Sequence, residues 1–274
     1  MPFRLMAVLA HPDDESLGVG GTLAKYASEG VDVFLLTATR GDSGRYYGHS
    51  PDHHVHPGPA ALAKIRETEL RAAALALGVR EVSFLDYRDQ HLDRANPREI
   101  VSAIVRQVRR VEPEVVVTFG PDGAYGHPDH VAISQFTTAA VVAAADSSFV
   151  SDGTQVGPPH AASKLYYLAW PEAAWKAYEL AFGKLASTVD GVRRQSVPWP
   201  DWAITTVLDT RAVWSKVWQA ISCHKSQIAA YERLKSLSAE DHQALWGWQS
   251  FYRAFSTISG GRARETDLLD GIRT

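Results

Sequence analysis

Short apolar runs alternate with helical patterns in the first half of the chain, and this alternation restricts the fold to few classes. The apolar runs are Phe3–Ala10, Val31–Thr39, Val82–Leu85 and Val115–Phe119. The helical patterns are Leu17–Ser28, Pro59–Leu77, Pro97–Val111 and His130–Ala145. Apolar runs of this length are typical of buried strands. Strands separated by helices are joined by right-handed crossovers, which make the strands parallel. The pattern predicts an α/β fold with a Rossmann-like, mostly parallel sheet and helices on both faces.

The second half of the chain carries weaker patterns. Two further strands and one long amphipathic helix are predicted, at Lys164–Ala169, Ala203–Leu208 and Arg211–Leu234. Residues 40–58 and 147–163 are predicted to be loops, and the first is long enough to suggest a functional role. The residues from about Gly260 are predicted to form a mobile tail.

The length of 274 residues fits one large domain with a modest extension. We expect this domain to span residues 1–259. Its core would occupy residues 1–146, and residues 147–259 would shape a substrate site. A tail would follow at 260–274.

The composition argues against several classes of function. A net charge of −3 gives no basic field for nucleic acid or an anionic membrane. The apolar runs are too short to cross a bilayer, and the N-terminus lacks the pattern of a signal peptide. The single cysteine, Cys223, permits neither an internal disulfide nor a multi-cysteine metal site. We therefore expect a cytoplasmic protein with a small-molecule partner and no membrane insertion.

Two clusters of polar residues follow predicted strands. His11-Pro12-Asp13-Asp14-Glu15 comes after the first strand, and His127-Pro128-Asp129-His130 comes after the fourth. Active groups of such sheets lie beyond the carboxyl ends of the strands, so the clusters can converge. Two imidazoles and one carboxylate make a common catalytic zinc set that leaves a position open for water. A spare carboxylate can then take a proton from that water.

Each cluster could instead have a purely structural role. Histidine, proline and aspartate in sequence often form a turn, and paired aspartates before a helix often cap it. Either cluster alone fits this reading about as well as a chemical one. Both clusters together, each directly after a buried strand, favour a metal site.

The clusters resemble the motifs of the LmbE-like (PIG-L) zinc deacetylases. The motifs are Ala10-His11-Pro12-Asp13-Asp14-Glu15 and the run from Gly120 to His130, Gly-Pro-Asp-Gly-Ala-Tyr-Gly-His-Pro-Asp-His. The resemblance covers residues 3 to about 145 and returns at His224-Lys225-Ser226-Gln227. It implies a hydrolase that removes the N-acetyl group from an N-acetylglucosamine-type amino sugar or its conjugate.

The resemblance also implies the parts played by residues of the two clusters. His11, Asp14 and His130 would bind the metal, which is zinc in the family, although Fe²⁺ or Co²⁺ could occupy such a site. Asp13 would be the general base.

A second set of residues would act on the intermediate and the leaving group. His127 would stabilise the oxyanion or protonate the leaving amine, with Asp129 orienting its ring. Tyr125 could hydrogen-bond the oxyanion, or it could simply be an aromatic lid over the pocket.

Four further residues are candidates for substrate binding: Arg40, Arg66, Asp89 and His224. Arg66 corresponds to a family arginine that holds substrate hydroxyls or phosphate. Its alternative is a solvated ion pair with Glu67 or Glu69. Asp89 could accept hydrogen bonds from sugar hydroxyls. His224 lies within the predicted C-terminal helix, where packing is as good an explanation as contact with the site.

Three other functions remain open at this point. The protein could be an amidase of a bulkier thiol-sugar conjugate, a sugar-binding protein without turnover, or a metal-dependent phosphoesterase. The last would tend to need two metals and more ligands than the clusters supply. Tryptophans are numerous in the second half of the chain, and a homo-oligomer built through this region is a further hypothesis.

Overall fold

The computed structural model describes residues 2–151, 154–155, 157–183, 186–189, 191–195, 197–258 and 263–273. Seven of its strands form one sheet: β1 (Arg4–Leu9), β2 (Asp32–Thr39), β3 (Glu81–Tyr87), β4 (Val115–Phe119), β7 (Lys164–Leu168), β10 (Thr206–Asp209) and β11 (Trp248–Ser256). Their order is β10-β11-β7-β4-β1-β2-β3. The five strands from β7 to β3 are parallel, whereas β11 is antiparallel to both of its neighbours. The predicted α/β class with a mostly parallel sheet is confirmed.

Two short antiparallel hairpins lie outside this sheet. One pairs β5 (Val150–Ser151) with β6 (Thr154–Gln155), and the other pairs β8 (Ala186–Val189) with β9 (Val192–Gln195). The first lies within the segment predicted to be a loop, residues 147–163. Residues 152, 153 and 156 of that segment lie outside the described residues.

The helices of the described chain are α1 (Asp14–Leu17), α2 (Gly20–Ser28), α3 (Pro59–Leu77), α4 (Pro97–Val111), α5 (Gly123–Gly126), α6 (Pro128–Ala145), α7 (Glu172–Phe182), α8 (Trp214–Cys223) and α9 (Ala239–Trp246). Four 3-10 segments join them, at Leu92–Arg94, Asp201–Ala203, Arg211–Val213 and Lys225–Ser236. The chain moves one way along the sheet from β1 to β3 and the other way from β4 to β7. Right-handed crossovers therefore place α2 and α3 on one face and α4 and α6 on the other. None of the described helices is long and apolar enough to span a membrane.

The two central strands form the middle of the core. All five residues of β4 are buried, and five of the six residues of β1 are buried. A strand covered by helices on both faces needs apolar residues at every position, which explains the continuous apolar runs in the sequence. Each large side chain buried there contributes about 1.5–3 kcal/mol.

Local signals place several helix ends where the sequence predicts them. Pro59 and Pro97 occupy first-turn positions of α3 and α4, where a missing N–H costs nothing. Gly78 ends α3 with φ of 79°, a left-handed conformation that favours glycine. The Asn96 side chain caps α4 by accepting a hydrogen bond from the backbone N–H of Arg98.

The prediction of one continuous helix over Arg211–Leu234 is wrong. The helix α8 ends at Cys223, and His224 breaks the spiral with φ of −79° and ψ of 60° before a 3-10 segment begins. Tertiary contacts cause the break. The His224 ring is fully buried against Glu15, and the Ser226 backbone N–H and hydroxyl both donate to Glu69. These hydrogen bonds replace the backbone hydrogen bonds of an α-helix at this point.

The C-terminal residues also differ from the prediction of a mobile tail. Leu268 and Leu269 are fully buried in the core. Glu265 accepts hydrogen bonds from Lys164 Nζ at 2.7 Å and from Tyr166 Oη at 2.7 Å. Residues 263–273 are therefore an integral part of the fold. Residues 259–262 and 274 lie outside the described part of the chain.

The helix predicted at Leu17–Ser28 begins later, because α1 ends at Leu17 and α2 begins at Gly20. The strand predicted at Ala203–Leu208 is found at Thr206–Asp209, after a 3-10 turn. The strand β11, the hairpin of β8 and β9, and the helices α7 and α9 have no counterpart in the sequence prediction. Both β10 and β11 sit at the antiparallel edge, where the apolar pattern is less continuous than in the buried parallel strands.

Candidate active site

The carboxyl ends of the neighbouring strands β1 and β4 bring the two predicted clusters together. His11 lies two residues beyond β1, Asp14 begins α1, and His130 lies in the first turn of α6. Because β1 and β4 are parallel and hydrogen-bonded, the segments that leave them lie side by side. All three side chains are buried.

The donor atoms of these three residues converge. His11 Nδ1 is 3.2 Å from His130 Nε2. The two carboxylate oxygens of Asp14 lie 3.3 Å from His130 Nε2 and 3.6 Å from His11 Nδ1. Ligand atoms bonded at about 2.0–2.1 Å to a tetrahedral zinc ion are roughly 3.3–3.4 Å from one another. The donor set therefore fits one metal ion with a fourth position left open.

Two other groupings of potential ligands occur among the described residues. One combines His11, His127 and His130, and the other combines His11, Asp89 and Asp129. The second grouping uses the opposite nitrogen of the His11 ring, because Nε2 lies 3.1 Å from Asp89 and 3.0 Å from Asp129. A carboxylate on the far nitrogen of a ligand histidine commonly fixes the ring and leaves the other nitrogen for the metal. This pattern favours Nδ1 as the ligand atom of His11.

The carboxylates around His11 control its charge. Burial alone would lower the pKa of the His11 ring, but Asp89, Asp129 and Asp14 together raise it well above its usual value. Burial likewise opposes ionisation of Asp89, yet the His11 ring holds the Asp89 pKa at about 2. A metal ligand must be unprotonated, so binding of a cation here would release a proton from the His11 ring.

The carboxylate of Asp129 orients His11 rather than His127. It is fully buried and accepts hydrogen bonds from the backbone N–H groups of Gln90 and Leu92, at 2.7 and 3.0 Å, besides its contact with His11. Only the backbone N–H of Asp129 contacts His127, at Nδ1 and 3.2 Å. This differs from the arrangement expected for the Asp129 side chain, because the loop after β3 inserts its amides beside that carboxylate.

His127 stands at the junction of α5 and α6. Its Nδ1 caps α6 by accepting the Asp129 N–H, so in the neutral ring the proton is on Nε2. The ring stacks on His130 at 4.7 Å between centroids. Burial, together with the neighbouring His11 and His130, lowers the pKa of His127 to about 4. Tyr125 packs edge-on against both His127 and His130, and burial raises the pKa of its hydroxyl.

Asp13 is held in a strained position next to the candidate ligands. Its φ of 103° lies in the region that favours glycine. Its backbone N–H donates to Glu15 Oε2 at 2.9 Å. Its carboxylate lies 3.2 Å from Arg66 Nη2, and its side chain keeps 15% exposure, toward a pocket. A carboxylate that is fixed, partly accessible and close to a cation site can accept a proton there.

The four predicted substrate-binding residues take other partners in the structure. Arg66 is buried on α3 and donates to the backbone carbonyls of Gly41 and Pro12 as well as contacting Asp13. It makes this ion pair rather than the alternative one with Glu67 or Glu69. Arg40 pairs instead with Asp86 and Glu67 on the neighbouring surface.

Asp89 and His224 contact residues of the site but do not line its pocket. Asp89 accepts the Ser43 N–H at 3.1 Å and faces His11. His224 Nε2 lies 2.7 Å from Glu15 Oε1, and the His224 side chain has no exposed surface. Neither residue lines the pocket that Asp13 faces.

Two kinds of site residue are not predicted from the sequence. Glu15, the last residue of the first motif, links His224 to the Asp13 backbone. An apolar wall formed by Leu17, Phe119, Trp170, Tyr178 and Phe182 completes a pocket of about 190 Å³. Glu15 could have been inferred from its place in the acidic cluster, but the wall comes from three distant segments and leaves no local signal.

Known proteins resemble this chain in sequence and in fold. The family described as GlcNAc-PI de-N-acetylase (PIG-L) matches residues 6–141. The 1D-myo-inositol 2-acetamido-2-deoxy-alpha-D-glucopyranoside deacetylase of Kineococcus radiotolerans is 37% identical over 99% of this chain and 83% of its own length.

Two solved structures are similar in fold. The N,N'-diacetylchitobiose deacetylase from Pyrococcus horikoshii has a TM-score of 0.66 at 20% identity, covering 91% of this chain and 83% of its own. The 4-carboxy-2-hydroxymuconate hydratase from Pseudomonas putida KT2440 has a TM-score of 0.67 at 21% identity, covering 95% of this chain and all of its own. One fold thus hosts different reactions, and these two likenesses concern the fold alone. The match to the Kineococcus protein over nearly the whole chain is decisive, and this chain belongs to the PIG-L family.

Proposed function

We propose that this protein is a metal-dependent N-deacetylase acting on an N-acetylglucosamine-type sugar conjugate. The observation that carries the proposal is the convergence of His11 Nδ1, His130 Nε2 and the Asp14 carboxylate at separations that suit one metal ion. The Asp13 carboxylate lies beside them in a pocket. The related Kineococcus deacetylase, named for a 2-acetamido-2-deoxy-glucopyranoside of inositol, supports this class of substrate.

His11, Asp14 and His130 would hold the metal. Two imidazoles and one carboxylate suit zinc, and Fe²⁺ or Co²⁺ accepts the same donors. When bound, such an ion lowers the pKa of a water molecule and polarises a carbonyl group.

Asp13 would act as the general base. It accepts a proton from the water that attacks the amide carbon, and it can return this proton to the sugar nitrogen as the C–N bond breaks. The products are then acetate and a free amine. Its backbone bond to Glu15 and its contact with Arg66 keep the carboxylate in place for both transfers.

His127 would stabilise the negative charge that develops on the carbonyl oxygen. Its low pKa makes the ring neutral near pH 7, and capping through Nδ1 leaves an Nε2–H as donor. A neutral donor of this kind fits the stabilising role proposed from the sequence better than that of a general acid. Tyr125, which lines the pocket that Asp13 faces and packs edge-on against His127, would donate its hydroxyl to the same oxygen.

A single assay tests the proposal. Zinc-loaded protein is incubated with 2-acetamido-2-deoxy-glucopyranosyl inositol, and primary amine and acetate are measured together. We expect the two products in equal amounts. His130→Ala should lose both bound zinc and turnover, whereas His160→Gln, a change at a histidine that bonds Pro113 far from the site, should lose neither.

The rival functions predict different results when binding and other substrates are also tested. Binding of the sugar without amine release would indicate a sugar-binding protein. Release of phosphate from sugar phosphates, with no amine from acetamido sugars, would indicate a phosphoesterase. Turnover confined to thiol-sugar conjugates would indicate the bulkier amidase.

A further inference from the structure

The pocket next to Asp13 has two chemically different parts. One end carries the polar groups of the reacting centre, Asp13, Asp14, Tyr125 and His130. Among the described residues, the remaining side chains of its lining are apolar or aromatic. A sugar ring needs partners for its several hydroxyl groups, and the mostly apolar surface of this second part suits a hydrocarbon group better than a sugar ring.

The apolar part is a continuous aromatic wall. Trp170, which follows β7, stacks on Tyr178 at 4.5 Å between centroids, and Tyr178 stacks on Phe182 at 5.5 Å. The Tyr178 hydroxyl donates to the backbone carbonyl of Leu17. This bond satisfies the only polar atom of the Tyr178 side chain, so the ring contributes apolar surface to the pocket.

The sheet order separates the aromatic part of this wall, Trp170, Tyr178 and Phe182, from the charged residues. The reacting centre sits above β1 and β4, and Trp170 follows the next strand, β7, and stacks on Tyr178 of α7. Arg40, Arg66 and Asp89 come from segments that follow or pack beside β2 and β3, on the opposite side. An amide bond held at the centre with its acyl group on this wall would have its sugar directed toward the opposite side, away from the aromatic residues.

We infer that this apolar wall binds the acyl chain of the substrate, and that the protein hydrolyses N-acyl amino sugars with chains longer than acetyl. This inference rests on the proposed deacetylase function. The whole pocket, including the space beside the reacting centre, has a volume of about 190 Å³. Because an apolar cavity of about 150 Å³ holds a benzene molecule, this pocket accommodates an acyl group of roughly four to six carbons whose carbonyl end lies at the reacting centre.

The reaction on a longer chain is the same hydrolysis. Water adds its oxygen to the acyl carbon, the C–N bond breaks, and the nitrogen takes up a proton. The products are the amino sugar and a short fatty acid.

A substrate series tests the inference with the zinc-loaded full chain. N-acetyl-, N-butanoyl- and N-hexanoylglucosamine are compared by amine release, together with the octyl glycoside of N-acetylglucosamine. Burial of two added methylenes predicts a gain in kcat/KM of roughly tenfold from acetyl to butanoyl. The octyl glycoside should show no comparable gain, because its chain would point away from the wall.

Two variants of α7 test whether the wall causes the preference for longer acyl chains. Phe182→Ala removes part of the wall and should reduce the ratio of hexanoyl to acetyl kcat/KM by about tenfold. Leu180→Ala is the matched control, since Leu180 lies on the same helix but is 83% exposed. It should leave this ratio and the overall rate unchanged.

Each contrary outcome has its own meaning. Turnover of the acetyl substrate that falls with every added carbon would overturn the inference and leave the deacetylase function intact. A gain with the octyl glycoside and none with longer acyl groups would assign the wall to an aglycone instead. Failure to release amine from any of the substrates would overturn the proposed function, and the acyl assignment with it.

Discussion

Asp13 occupies a backbone conformation that few aspartates adopt, and three contacts hold it there. Glu15 accepts its N–H, Arg66 contacts its carboxylate and the preceding carbonyl of Pro12, and His224 fixes Glu15. Strain of this kind costs about 1–3 kcal/mol and persists only where surrounding contacts over-determine it. The contacts come from α3 and from the end of α8, which explains why residues far apart in sequence affect one carboxylate.

Asp13→Asn tests the role of this carboxylate. Asparagine keeps the shape of the side chain but cannot accept a proton in the reaction, so we expect kcat to fall by roughly 10²–10⁴-fold. Bound zinc should stay near one equivalent per chain. Asp93→Asn, at an exposed surface position, serves as the control. Loss of zinc from Asp13→Asn would show that Asp13 is a ligand instead.

His224 should act as a positioning residue. His224→Ala removes the bond to Glu15, and a shift of the Asp13 loop by about 1 Å is expected to lower kcat by roughly 10- to 100-fold. KM and zinc content should change little. His224→Gln can still donate to Glu15 and should recover part of the rate. His160→Ala removes a comparable histidine bond at a distant position and should leave kcat unchanged. An equal fall in both His224 variants would argue against this role.

The two motifs could be found in the sequence because each is contiguous and follows a recognisable strand. The choice of His11, Asp14 and His130 within them was implied by the resemblance to the PIG-L family, and the structure brings these three residues together. The partner of Asp129 could not be predicted, since it depends on where the loop after β3 comes to lie. The same is true of the bonds that Arg40 and Arg66 make.

At the level of secondary structure, the helices and strands whose ends are marked by local sequence features could be predicted. The bounds of α3, α4 and β4 agree with the sequence prediction because proline, glycine and continuous apolar runs mark them. The break at His224 was not predictable. Its cause is a buried bond to Glu15, 209 residues away in sequence. Amphipathic periodicity continues across such a break and cannot reveal it.

Two glycines that follow helices allow us to measure the cost of adding a side chain at a position with positive φ. Gly30 and Gly78 both have φ near 80°, but an added Cβ meets nothing within 4 Å at Gly30 and lies 2.9 Å from Ala27 Cβ at Gly78. Gly30→Ala should lower the free energy of unfolding by about 1–2 kcal/mol through backbone strain alone. Gly78→Ala should cost about 1–3 kcal/mol more, because the contact adds overpacking. Equal costs in urea unfolding would contradict the packing argument.

At the scale of the whole molecule, the C-terminal residues close the antiparallel edge of the sheet. Glu265 bonds Lys164, Tyr166 and Thr206, and Arg253 pairs with the same carboxylate. The sequence pattern of this segment is polar and short, which is why it was predicted to be a tail. Its order comes from a buried polar network that forms only when four distant segments meet.

This network predicts a dependence of stability on pH. Burial opposes ionisation of Glu265, but its bonds from Lys164, Tyr166 and Thr206 lower its pKa in the folded state. Below about pH 4.3 the unfolded chain takes up a proton at this position, while the folded chain still resists protonation. The contribution of Glu265 is therefore complete above that pH and lost as the pH falls through the lowered pKa.

Glu265→Gln isolates this contribution. At pH 7 the variant leaves the buried Lys164 charge without its carboxylate, and its free energy of unfolding should be lower by about 3–5 kcal/mol. The difference from the unchanged protein should shrink in urea unfolding at lower pH. A difference that stays constant between pH 7 and pH 3 would contradict the assignment of this pH dependence to Glu265.

We propose that one metal ion, held by His11, Asp14 and His130, is required for amide hydrolysis. The most direct measurement is a titration of chelator-treated protein with zinc, followed by the rate of amine release from 2-acetamido-2-deoxy-glucopyranosyl inositol. We expect no amine release without metal and a linear rise of the rate that ends at one equivalent of zinc per chain. Full activity in protein shown by analysis to be free of metal would contradict it.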